Sequence, residues 1–484
     1  MNTNKQKFER ELNTQKNKLE EMAKIVENLQ LKYNEDFSVE CKLISNHKNF
    51  IANPYLEIAI VGAIKAGKST LINALLNEKI ASTEVTPETA TLTKFKYSEK
   101  NYLKITFYTQ KEWNLLWGDI CGSDNRNEVF KTEYNNLGAQ EVLQDYINKE
   151  PIFEYSDNLE ELRIMVKKYT SSKSKTHYFV KELEIGLNNS NLPKEVCFVD
   201  TPGLNDVVPY RSNITKEYIK RANAVIVCIN ADSMRNDEYT TIVKVFENVG
   251  GLREKVFILG TQIDKLNNPE SDWKKQKKEW SKYLLSVFKN EELLENNILG
   301  TTSYIYHVIN DLKNKKECNE HELLDLINFT KKTDLDIIQT GSRFNKIMSL
   351  LSNEKTKLIS NSKIIIEKTN IENFKFIMNG RLLDNSSKIL LEDFIFRYSH
   401  LKKSISNRLS RIIERNNDSI NILNMEVNDL KKLEEEKEKN RIEILNISKE
   451  IIEDFLVLKN NINENLKKTG QELENEIKKN GIGG

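Results

Sequence analysis

Apolar positions near the start of the chain, Phe8, Leu12, Leu19, Met22, Val26 and Leu29, recur mainly at three-, four- or seven-residue steps. That spacing draws one face of an amphipathic helix. Toward the other end Ile444, Ile447, Ile451, Phe455, Leu458, Ile462 and Leu466 step by three or four, and Leu401, Ile405, Leu409 and Ile412 repeat the pattern. Between these two runs, Lys431 to Lys439 is a mixed-charge, solvated stretch. An apolar stripe of this length needs a second helix to cover it. The economical solution is an elongated bundle or stalk of three or four antiparallel helices, with the first helix beside the tail. An independent coiled-coil arm is the alternative.

The middle of the chain follows a different period. Leu56–Val61, Glu195–Val199, Ala224–Ile229 and Val256–Leu259 are near-continuous apolar runs, and Ile298-Leu299 leads a further one. Runs of that length separated by helical stretches predict parallel strands covered on both faces. Helix breakers agree with this division. All seven prolines lie between Pro54 and Pro269, and from Thr301 to Asn480 the only glycines are Gly341, Gly380 and Gly470. The predicted organisation is a helical segment at 1–50, an α/β domain with a mostly parallel sheet at 51–310, and a helical neck or stalk at 311–484.

Composition removes several function classes. The chain has 484 residues with 73 Lys plus Arg against 72 Asp plus Glu, so no excess positive charge exists for tracking a nucleic-acid backbone. The five cysteines are scattered and never form CxxC, and the five histidines show no metal-ligand spacing, which argues against disulfide and zinc modules. Neither a signal-peptide pattern nor an 18-residue apolar window is present, so a cytoplasmic chain is expected.

The chemistry sits where the first strand ends. Gly62-Ala63-Ile64-Lys65-Ala66-Gly67-Lys68-Ser69 fits GxxxxGK[ST], and the helix-forming Thr70-Leu71-Ile72 follows. Glycines there let backbone N–H groups converge on phosphate oxygens at a helix N-terminus. Lys68 is expected to reach the β- and γ-phosphates, and Ser69 to ligate Mg²⁺. Asp200-Thr201-Pro202-Gly203 ends a second buried strand, where Asp200 can hold Mg²⁺ through water and the Gly203 N–H can meet a γ-phosphate. After a third strand comes Thr261-Gln262-Ile263-Asp264. A carboxylate at Asp264 can accept from guanine N1–H and its exocyclic amine, whereas adenine would leave it unpaired. Ser303, after the last strand, could brace the base through its backbone; this is the weakest of the signals.

In order, GAIKAGKS, TPETA, DTPG and TQID resemble the first four nucleotide motifs of the dynamin-like large GTPases, bacterial members in particular. The resemblance implies a P-loop GTPase domain that binds GTP or GDP with Mg²⁺ as cofactor. It also implies Thr89, or alternatively Thr86, as the switch threonine near metal and attacking water. The long stretch between Thr89 and Asp200, with Trp113, Trp117 and the strand-like Tyr178–Ile185, enlarges the domain as in that family. Paired domains would form a homodimer or higher homo-oligomer, and the stalk would contact a membrane periphery or a protein partner. Nucleic acid is not an expected partner.

Three positions depart from the family pattern. Ile64 stands where a polar residue, often glutamine, orients the catalytic machinery, so slow hydrolysis is expected. Lys65 replaces a frequent serine, and its ammonium could occupy the place of a monovalent cation or simply face solvent. Lys68, Thr89 and Lys65 are therefore the candidate catalytic residues. Gln262 replaces the usual lysine, which weakens affinity more than base choice. A GTP-binding scaffold with poor hydrolysis is the alternative function. The segment Asn373–Gly380 is the candidate lipid or partner contact, with bundle core as its bland alternative.

Overall fold

The computed structural model describes residues 2–33, 36–52, 54–63, 65–81, 91–122, 128–171, 173–188, 192–202, 204, 209–232, 234, 236–249, 253–335, 355–382, 386–422 and 427–479. Helices α1 (Asn2–Tyr33) and α2 (Ser38–Ala52) precede strand β1 (Leu56–Gly62) and helix α3 (Lys68–Leu76). Strands β2 (Leu92–Tyr97) and β3 (Asn101–Phe107) lead to α4 (Gln110–Gly122), α5 (Glu128–Asn136) and α6 (Leu143–Tyr146). Then come β4 (Ile152–Ser156), α7 (Leu159–Thr170), β5 (Val180–Leu187), β6 (Val196–Asp200) and α8 (Pro209–Arg221). The nucleotide-side half finishes with β7 (Ala224–Asn230), α9 (Asn236–Asn248), β8 (Val256–Thr261), α10 (Pro269–Phe288), α11 (Glu291–Asn297) and β9 (Ile298–Gly300). Helices α12 (Ser303–Lys313), α13 (Glu320–Lys332), α14 (Ser362–Thr369), α15 (Ile371–Leu382), α16 (Ser386–Ile422) and α17 (Val427–Lys479) complete the chain.

All nine strands form one sheet in the order β4-β3-β5-β2-β6-β1-β7-β8-β9. From β6 to β9 every pairing is parallel, as the apolar runs require, and every residue of β1, β6 and β8 is buried. The other half is mixed: β2 runs antiparallel to β6 but parallel to β5, and β3 runs antiparallel to β4 and β5. The strand expected at Tyr178–Ile185 begins at Val180, because Lys175–Phe179 forms a 3-10 turn. Inserted Trp113, Trp117, Tyr134 and Phe179 pack as an aromatic cluster, with Trp113 and Trp117 stacked at 5.5 Å.

The chain divides into two compact units, Met1–Ser399 and His400–Gly484. Within the first, α2 turns back on α1, and Cys41 Sγ lies 3.9 Å from Gln30 Oε1. The Asn373–Gly380 segment does not end a helix: α15 runs through Gly380 to Leu382. A single glycine costs a helix only about 1 kcal/mol, and Phe374 anchors this one edge-on to Phe257 of β8 at 6.4 Å. Phe374 and Met378 are core, whereas Phe376 is 76% exposed. In the second unit, Ile444, Ile447, Ile451, Phe455 and Ile462 are half-buried and Leu458 is buried, so the stripe lies where its period puts it except at its end, where Leu466 is exposed.

One charge inside the sheet demands an account. Glu57 of β1 is buried, accepts from Tyr218 Oη at 2.8 Å, and lies 3.8 Å from Arg221 and 3.9 Å from Arg397. Burial alone would raise its carboxyl pKa, but Arg221, Lys94 and Arg397 together hold it below the ordinary glutamate value. Glu57→Ala removes the anion these cations share and should cost about 3 kcal/mol in urea unfolding. Because the folded pKa is depressed, the stabilisation is present above the unfolded value and lost as pH falls through the folded one. The stability advantage of wild type over Glu57→Gln should therefore shrink below about pH 4.

Candidate nucleotide site

The strand-to-helix loop after β1 is shaped by steric exclusion. Gly62 has φ 155°, and a Cβ there would stand 2.5 Å from the Cys228 carbonyl oxygen on β7. Lys65 and Gly67 also take positive φ, 64° and 81°. The loop thus closes tightly onto the N-terminus of α3, leaving Ala63 and Lys65 exposed and Ala66 buried. Lys68 is 5% exposed, and its ammonium donates to the carbonyls of Gly62 and Ala63, both at 3.1 Å. Thr70 follows, its backbone hydrogen-bonded to His307 of α12; burial and nearby Lys79 push that imidazole down to about 4.

Asp200 stands at the end of β6, and Ser69 Oγ donates to its Oδ2 at 3.1 Å. Its other oxygen, Oδ1, is buried and accepts no hydrogen bond among the described residues. Burial drives this carboxyl upward, opposed by the charge of Lys68 and the bond from Ser69. A buried carboxylate with an orphaned oxygen beside a hydroxyl is a hard-oxygen donor pair, which fits Mg²⁺. Past Asp200, Thr201 is tied to the Ile60 carbonyl, while Thr215 and Ser212 of α8 hold the carbonyls of Pro202 and Leu204. Gly203, between them, lies outside the described residues, as do Ile64, Thr86 and Thr89.

The base-side residues converge on the same loop. Thr261 Oγ1 lies 2.8 Å from the Ala66 carbonyl and 3.0 Å from that of Ile229. Gln262, at φ 61°, donates both amide hydrogens: to the Lys65 carbonyl at 2.9 Å and to Asn230 Oδ1 at 2.7 Å. Asp264 has a buried Oδ1 with no hydrogen-bond partner, and its carbonyl accepts from Lys332 at 2.8 Å. Buried Ser303 likewise has an unpartnered hydroxyl at the start of α12. Two groups result: Lys68, Ser69 and Asp200 at one end, and Thr261, Gln262, Asp264 and Ser303 at the other. Ala66 and Lys65 join them.

Residues 58–259 match the family model described as the dynamin family. This segment belongs to that family. The dynamin-family segment begins within β1 and ends within β8, so it includes Lys68, Ser69 and Asp200 but stops short of Gln262, Asp264 and Ser303. Dynamin-like protein 1 of Campylobacter jejuni is 34% identical over 179 residues, covering 37% of this chain and 23% of that protein. A bacterial dynamin-like protein of Nostoc punctiforme is 25% identical over 174 residues, covering 36% of this chain and 20% of its own. The alignments thus span about a quarter or less of these two relatives. Among solved structures, an oligomerised bacterial dynamin pair is 22% identical, covering 96% of this chain and 79% of that one, with a TM-score of 0.41.

Several residues of the dynamin-family segment and its surroundings have no motif to announce them. Asn73 of α3 is 3% exposed; its Oδ1 accepts from Ile80 N and Ala81 N at 2.8 Å, and its Nδ2 donates to the Ala81 carbonyl at 3.0 Å. Arg163 of inserted α7 donates to the Lys79 carbonyl at 2.7 Å, while the Lys79 ammonium pairs with Asp311 of α12 at 2.6 Å. The only signal in the sequence is an asparagine inside the apolar part of a helix that ends at Asn77, a residue type suited to the left-handed C-cap found there at φ 54°. Asn73→Ala strands the Ala81 N–H and carbonyl, leaves Ile80 N only its bond to the Glu78 carbonyl, and should lower unfolding free energy by about 1–3 kcal/mol in urea titration.

Proposed function

We propose that this chain is a dynamin-like GTPase that binds GTP with Mg²⁺ and hydrolyses it slowly, with nucleotide state coupled to its helical segments. The observation that carries the reading is the buried Asp200 carboxylate, bonded to Ser69 at a helix N-terminus and retaining one oxygen without a hydrogen bond. Mg²⁺ would neutralise phosphate charge, with Ser69 and Asp200 holding it, the latter through water. Lys68 would exchange its two loop carbonyls for β- and γ-phosphate oxygens. Thr89 or Thr86 would approach the attacking water, and Gly203 the γ-phosphate. Backbone groups of Gly62 to Thr70 would cradle the phosphates.

Guanine is the base supported by Asp264, whose orphaned Oδ1 can accept from N1–H or the exocyclic amine. Thr261 and Gln262 hold the loops on which the base would rest, and Ser303 would close its far side. Gln262 lacks a lysine's charge, so an affinity in the micromolar range, about −8 kcal/mol, is proposed. Calorimetric titration of GTP with Mg²⁺ into wild type should show saturable heat. Lys68→Ala should abolish it, and Asp264→Asn should lose GTP affinity by tenfold or more while gaining XTP binding. An unchanged GTP isotherm for both variants refutes the assignment.

The wider reading assigns residues 51–310 to the GTPase domain and the flanks, 1–50 and 311–484, to helical elements. Two GTPase domains would pair across bound nucleotide, giving a homodimer or larger assembly, with Lys65 offsetting charge between phosphates. Ile64 favours a second reading, a GTP-gated scaffold with negligible turnover. Phosphate release per molecule should climb with protein concentration for the enzyme and stay near zero for the scaffold. A cytoplasmic chain touching a membrane face peripherally would use exposed Phe376. Among the described residues no helix is long and apolar enough to cross a membrane. Liposome flotation should weaken in Phe376→Asp.

A further inference from the structure

Gly260 and Gly300 face each other in register where β8 and β9 end. A Cβ on Gly260 would stand 2.3 Å from Trp273 Cη2 and Cζ3, and one on Gly300 would stand 2.5 Å from Cε2 and Nε1 of the same indole. One ring system therefore lies across both strands, six-membered ring over Gly260 and pyrrole edge over Gly300. Any side chain at either position would displace it. The two glycines are a trough built into the sheet, and the indole fills it.

The chain leaves the trough by two exits. From Gly260 it runs into Thr261-Gln262-Ile263-Asp264, and from Gly300 into Thr301-Thr302-Ser303. Those are the two loops assigned above to the base. They are stitched to each other by Ile263 N donating to the Thr301 carbonyl at 3.3 Å, and by Thr301 N donating to the Gly260 carbonyl at 2.8 Å. Trp273 also packs against Ala231, Ile263 and Leu266, so the loop carrying Asp264 rests on the indole as well. Behind it, the ring meets Trp280 edge-on at 5.1 Å, and Trp280 is 1% exposed in the main core.

We propose that Trp273 is a positioning residue for base selection: wedged in the Gly260–Gly300 trough, it fixes both loops so that the Asp264 carboxylate meets guanine in one orientation. This inference rests on the guanine reading of Asp264. Two hydrogen bonds to one carboxylate are directional, so a loop that settles by a fraction of an ångström loses them while phosphate contacts, made elsewhere, survive. A residue that only packed the core would, when removed, weaken every ligand alike through general destabilisation.

The experiment compares GTP, ITP, ATP and base-free tripolyphosphate, each with Mg²⁺, by calorimetry on the full chain. ITP keeps N1–H and lacks the exocyclic amine. Wild type should favour GTP over ITP and ATP. Trp273→Leu should lose about tenfold or more in GTP affinity, with ITP, which makes only one of the two carboxylate bonds, losing less and tripolyphosphate changing less than about threefold, so the GTP:ITP ratio falls. Trp273→Phe, still aromatic, should recover part of the ratio. Gly300→Ala, whose Cβ drives the ring out of the trough, should reproduce the leucine phenotype with Trp273 intact, and it decides the matter if the leucine variant does not fold. An unchanged GTP:ITP ratio in these variants, or equal loss for all four ligands, overturns the role of Trp273. A wild type with no preference for GTP overturns the guanine reading itself, and the inference with it.

Discussion

A carboxylate kept in a dry place at a strand end is the constraint around which this molecule is arranged. Asp200 sits 5% exposed, stabilised by the Lys68 charge and one hydroxyl. Burial of that kind is costly unless further partners arrive. The surrounding geometry serves the same end: β6 lies beside β1, so the loop after one strand and the acid ending the other come within reach. The glycine at position 62 permits close approach to β7, and α3 starts where the loop closes. A sheet with another strand order would separate Ser69 from Asp200 and leave the acid uncompensated.

What could be read from the residues alone depended on burial. The covered strands β1, β6, β7, β8 and β9 announce themselves because nearly all of their positions are apolar or small, Glu57 and the terminal Asp200 and Asn230 apart. Strands β2, β3 and β4 do not. Leu92-Thr93-Lys94-Phe95-Lys96-Tyr97 carries two lysines, and those lysines are satisfied only by neighbours far along the chain, Glu182 and Glu184 at 2.9 Å. A ladder of opposite charges across strands stabilises such a strand, but its partners cannot be known before the register is. The same reasoning covers Glu57, which resembles an error in an apolar run until Tyr218, Arg221 and Arg397 are seen around it.

The site divides along similar lines. The residues proposed for phosphate and metal are contiguous motifs, since such binding needs only backbone geometry and one or two side chains. The supports are not contiguous. Gln262 was read as a weakened lysine, yet its amide uses two donors to join the phosphate loop to Asn230 at the end of β7. Gly260 and Gly300 belong to no recognisable motif, and the reason for their lack of a side chain is an indole from α10. Such roles belong to pairs and triples of residues brought together by the sheet, and spacing along the chain carries no trace of them.

The helices after the sheet are bonded to the nucleotide side rather than merely following it. Asn370, between α14 and α15, donates to the Gly300 carbonyl at 2.7 Å, and Thr302 N donates to the Thr369 carbonyl at 3.1 Å. Tyr306 of α12 donates to Glu372 of α15 and has Asn77 Oδ1 3.0 Å away, with Lys375 closing the cluster at 2.8 Å from the tyrosine oxygen. Lys79, two residues on from Asn77, is held by Asp311 and Arg163. The chain leaving α3, from Asn77 to Lys79, is therefore clamped by α12, α15 and the inserted α7 together. A displacement of that segment must break charged bonds to α12 or carry those helices with it. Because such bonds are made or lost as wholes, a displacement there would proceed between discrete arrangements rather than by gradual bending.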